Sequence, residues 1–146
     1  MASALDVAAH ILARRGGMTA MKLQKLVYYS QAWSLVWDER PLFGDRIEAW
    51  ANGPVCRTLY DQHRGQFRVA AVVGGDPERL DADARETIDA VLSYYGDRSA
   101  QWLSDLSHLE APWQKARSDI PDGAPCSREI GIADMAEYYG SLPPEA

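Results

Sequence analysis

The sequence predicts a mainly helical single domain of six to seven helices, with room for one small β-hairpin. Three observations carry that expectation. Apolar residues recur at helical spacing over long stretches, above all between 20 and 37. Runs alternating strictly between strand and helix, which a parallel α/β sheet requires, are missing. The 146 residues, 47% apolar and 25% charged, suit one soluble domain over residues 1–146, with core enough to fold without a disulfide or metal staple.

Ser3 can cap a first helix that runs to about Arg15 and ends at Gly16-Gly17. Thr19 is the expected N-cap of the strongest helix, Ala20 to Trp37, with Met18 and Leu23 as a hydrophobic staple. Leu23, Leu26, Val27, Ser30, Trp33 and Trp37 form its stripe, and Lys22 and Lys25 fall on the opposite side. Residues 38–45 read as a loop broken by Pro41 and Gly44. Residues 46–50 alternate polar and apolar, as a short strand does. Asn52-Gly53-Pro54 then reads as a turn, with Pro54 at the first position of a helix to His63. Phe67 to Val73 is apolar and β-branched and could pair with 46–50. Asp76-Pro77 or Asp81 opens the next helix, which ends at Tyr95 before Gly96. Ser99 caps a helix over 100–109, Pro112 opens one more turn to Ala116, and residues 120–127 form a loop. A last helix covers about Ile132 to Tyr139, and Pro143-Pro144 closes the chain.

The net charge of −6 argues against a sequence-independent grip on phosphate backbones, so direct nucleic-acid binding is not expected. The charge is uneven. Residues 1–75 carry nine Lys/Arg against six Asp/Glu, and residues 76–146 carry six against fifteen. No apolar stretch reaches the ~20 residues of a membrane span, and the N-terminus lacks the charge order of a secretory signal. The expected location is cytoplasmic, with Cys56 and Cys126 as two reduced thiols.

Catalytic and cofactor signatures are missing. Neither Gly pair belongs to a P-loop or a dinucleotide fingerprint, and no Gly-x-Ser-x-Gly occurs. His10, His63 and His108 stand without metal-ligand spacing. His108-x-Glu110 followed by Pro125-Cys126 begins like a zinc deaminase, but no second cysteine follows at the required spacing. The expectation is no cofactor and no enzyme; a hydrolase built on Asp105, His108 and Glu110 is the competing reading.

What the sequence has in excess is rings: five Trp and seven Tyr, with adjacent pairs at 28–29, 94–95 and 138–139. Neighbours on a helix lie about 100° apart, so one ring of each pair reaches the core and the other lies at its margin or on the surface. Tyr and Trp also anchor interfaces, since they bury much area and keep a polar tip. Trp50, Gly53, Pro54, Tyr60, His108 and Trp113 are therefore the candidate partner-binding residues. Gly53-Pro54 would aim a helix N-terminus beside Trp50, offering N–H donors to an acidic group of a partner.

Residues 22–33, Lys-Leu-Gln-Lys-Leu-Val-Tyr-Tyr-Ser-Gln-Ala-Trp, resemble the opening motif of the Panacea antitoxin domain, the family of SocA-like antitoxins and phage-associated proteins. Pro41-Leu42-Phe43, residues 47–50 and Gly53-Pro54-Val55 are similar to its second block. Leu103 to Trp113 with residues 115–117 resembles the third, and residues 135–139 the closing helix. Asn52 departs from the aromatic common at its position. The resemblance implies a helical fold and a non-enzymatic protein that neutralises a cognate protein toxin by binding it. It also implies an alternative, an adaptor handing the toxin to a Clp-type protease. No DNA-binding module precedes the domain, so operator binding is not expected.

Overall fold

The structure, a computed structural model, describes residues 2–143. One helix organises it. Helix α1 (Ala4–Arg15) leads through the short strand β1 (Met18–Thr19) into α2 (Ala20–Trp37). Strands β2 (Ile47–Trp50) and β3 (Gly53–Cys56) precede α3 (Arg57–His63) and β4 (Arg68–Val69). A single 3-10 turn (Pro77–Arg79) comes before α4 (Ala82–Tyr95), α5 (Ala100–His108), α6 (Ala111–Ala116) and α7 (Ile132–Ser141). The mainly helical class and the seven helices among the described residues agree with the six to seven that the periodicity predicts. Pro144, read with Pro143 as closing the chain, lies outside the described residues.

Helix α2 packs against α1, α4, α5, α7 and β3. It is apolar on nearly every side, and such a helix is buried rather than amphipathic. Tyr28 and Tyr29 are therefore both buried, a correction to the expectation that one ring of each pair stays at the margin or on the surface. The later pairs follow the expectation: Tyr95 and Tyr139 are buried, Tyr94 is exposed and Tyr138 half-buried. Lys25, placed by the stripe on the polar face, is 1% exposed for the same reason. Caps act where the sequence put them. The Thr19, Asp81 and Ser99 side chains accept from the backbone N–H of Lys22, Ala84 and Trp102 at 3.2, 2.9 and 3.0 Å. The Asp6 carboxylate accepts from the Ser3 N–H at 2.9 Å.

The hairpin is the second correction. Residues 47–50 pair antiparallel with 53–56, Trp50 opposite Gly53 and Ile47 opposite Cys56, not with 67–73. Only Arg68–Val69 of that apolar stretch is a strand, and it pairs with Met18–Thr19. Pro54 thus lies inside β3, and the helix expected to start there starts at Arg57. Proline suits that place because its missing N–H is not needed by the ladder. No helix among the described residues is long and apolar enough to cross a membrane.

Candidate functional site

The β2–β3 hairpin sits between α2, α5 and the segment after α6, and side chains from all three hold its backbone. The Gln24 amide works as a short third strand: its Oε1 accepts from the Cys56 N–H at 2.8 Å, and its Nε2 donates to the Cys56 carbonyl at 3.2 Å. The same Nε2 lies 2.9 Å from His63 Nε2. Ser104 Oγ donates to the Asn52 carbonyl at 2.7 Å, Trp113 Nε1 to Trp50 at 2.8 Å and Arg117 Nη1 to Ala49 at 3.0 Å. On its outer edge, Ala49 N–H donates to the Arg128 carbonyl and Ile130 N–H to that of Ile47, both at 2.8 Å. A buried backbone group left unpaired is costly, so each contact fixes the register of the hairpin.

Lys25 enters this frame from α2. Its Nζ donates to the Pro54 carbonyl at 3.2 Å. Burial alone pulls its ammonium down from 10.5 to about 8. Gly53 makes room for it. With φ at +121° it adopts a backbone that L side chains avoid, and a Cβ there would lie 2.6 Å from Lys25 Cε and 2.9 Å from Ser107 Oγ.

Beside the hairpin opens a cleft of about 640 Å³, lined among others by Met21, Lys25, Trp50, Val55, Arg57 and Tyr60. The Trp50 and Tyr60 rings meet edge to face at 4.8 Å. Trp50 is held by its own strand, since its Nε1 donates to the buried Glu48 carboxylate at 2.8 Å. On the other side of the hairpin tip, His108 and Trp113 line a smaller hollow that shares Ala51 and Gly123 with the cleft. Their rings lie 4.3 Å apart. Burial, then the Lys25 charge, holds the His108 imidazole below its ordinary range. Its Nε2 is buried with no hydrogen-bond partner among the described residues.

The structure therefore gathers all six candidate residues around one hairpin, in different roles. Trp50 and Tyr60 are half-buried and face the cleft. Gly53, Pro54 and Trp113 are buried and shape its frame. The expected helix N-terminus at Pro54 does not exist, so its N–H donors are not on offer there. Sequence reasoning missed Gln24, Lys25, Ser104 and Arg117. The signal for the first two was in plain view: two polar residues between Leu23 and Leu26, on a helix too apolar to have a wet side.

Glu110, named in the enzyme reading, is committed elsewhere. Tyr29 and Tyr139 hydroxyls donate to its Oε1 at 2.7 and 2.8 Å, and the Tyr28 hydroxyl lies 3.0 Å from that of Tyr139. Burial raises its carboxyl above the usual range, while the two hydroxyls pull it back. No group of three or more His, Cys, Asp or Glu side chains able to hold a metal ion occurs among the described residues.

The helical domain thus braces a buried hairpin with side chains and leaves aromatic rings along its cleft. The chain belongs to the SocA-like antitoxin family: the model of its Panacea domain matches residues 23–114, from α2 to the turns of α6. That span includes Lys25, the hairpin, Tyr60, His108 and Trp113. Membership supports an antitoxin role. No curated protein and no solved structure matches the chain significantly.

Proposed function

We propose that the protein neutralises a cognate protein toxin by binding it directly through the cleft beside the hairpin, and that it catalyses nothing. The observation that carries this reading is the Trp50–Tyr60 pair, half-buried on a braced backbone and continuous with the exposed Met21. Rigid aromatic anchors of this kind lose little entropy on binding. The acidic second half of the chain would speed the approach of a basic toxin. Against catalysis stands the engagement of two of the three candidate residues: Tyr29 and Tyr139 donate to Glu110, and Asp105 accepts from Gln101 at 2.8 Å.

The test is to produce the chain together with the product of the neighbouring reading frame. The reading expects growth to be rescued, the two proteins to copurify, and a His108→Ala variant to rescue as well. A harmless neighbour that never associates with the chain would refute it. Toxin half-life separates blocking from delivery to a Clp-type protease: binding alone leaves it unchanged or longer, whereas delivery shortens it.

A further inference from the structure

The cleft has a charge pattern that the chain as a whole lacks. In a protein of net charge −6, no Asp or Glu lines it. Two cations do, and they differ. Arg57 lies 3.7 Å from both Glu48 and Asp61, so its charge is largely answered. Lys25 has no carboxylate partner among the described residues. Its ammonium carries three donors, and the Pro54 carbonyl takes one of them. A buried charge is normally paired, and one held this way is short of an acceptor. Lys25 lines the cleft with 1% of its surface exposed.

The mouth of the cleft says what kind of molecule comes. Ala20, Met21, Val55 and Pro125 line it, and Met21 is 37% exposed. An apolar rim of that kind is covered by a protein surface rather than by a small anion.

We propose that the cleft receives an aspartate or glutamate side chain of the partner protein, whose carboxylate accepts from Lys25 Nζ beside the paired Trp50 and Tyr60 rings while apolar neighbours cover Met21. This rests on the toxin-binding reading for the identity of the partner, but the chemistry of the site is its own. Gly53 is then a specificity device, because any side chain there would displace the ammonium.

Two experiments test it together. The first uses the capped peptide acetyl-Leu-Glu-Phe-amide and its Gln counterpart, followed through the Trp50 indole N–H resonance. The Glu peptide is expected to shift that resonance at millimolar concentration, the Gln peptide to leave it, and Lys25→Met to abolish the response. Equal shifts from both peptides, or none from either, would overturn the proposal. The second measures the affinity of the neighbour-encoded protein. Lys25→Met should weaken it by about thirtyfold or more, as loss of a buried charge partner does, and Arg57→Ala by only a few fold. Unchanged affinity in Lys25→Met overturns the proposal. A neighbour that fails to bind while the Glu peptide succeeds would sink the toxin reading and leave the carboxylate site standing.

Discussion

Helix α2 supports two buried polar clusters one turn apart, and they are built differently. Around Tyr28 and Tyr29, the hydroxyls and the Glu110 carboxyl satisfy one another, with Tyr139 closing the set. Around Gln24 and Lys25, the hairpin backbone is satisfied but the side chains are not all so: Lys25 has one acceptor for three donors, and His108 Nε2 has no partner among the described residues. A closed network specifies a fold. One with donors left over beside a cleft is where the proposed partner carboxylate would pair.

The difference can be broken by mutation. Glu110→Ala should have the largest effect, a loss of about 3 kcal/mol, because it leaves a cavity and strands two buried hydroxyls. Glu110→Gln keeps an acceptor and removes a desolvated charge, so it should cost less than about 1 kcal/mol. Chemical denaturation of both variants checks the pair.

Lys25→Met should move stability the other way. The unfolded chain holds this proton up to 10.5 and the folded chain only to about 8. The folded state therefore bears the full cost of the buried ammonium below pH 8, and that cost fades as pH climbs towards 10.5. The variant should be more stable than the wild type at pH 7, on the order of 3 kcal/mol from the conversion of pKa to free energy. The gap should close across that window. A constant gap would mean packing, not charge, sets the difference. Gly53→Ala should cost about 2 kcal/mol or more, from the strained φ and the clash with Lys25 Cε. Part of that loss should return in the Lys25→Met background.

The two clusters were not equally legible in the sequence. Helix periodicity located α2, and the caps at Thr19, Asp81 and Ser99 located three helix starts, because each is a local signal. The hairpin was misread because Asn52-Gly53-Pro54 satisfies two rules at once: a turn before a helix, and a tight turn between strands. Long-range contacts decided between them, with Gln24 and residues 128–130 binding the strand edges. Trp50 and Tyr60, named from the sequence, line one cleft in the structure. Lys25 stands in the sequence as a polar break between Leu23 and Leu26, but its burial comes from the helices packed around α2 and not from its own neighbours in sequence.

The account stands most directly on titration calorimetry of the purified chain with the neighbour-encoded protein. Trp50→Ala and Tyr60→Ala should each weaken binding by about 2 kcal/mol or more while the variants remain folded. Wild-type affinity in both folded variants would contradict it, and would place the toxin on another face of the molecule.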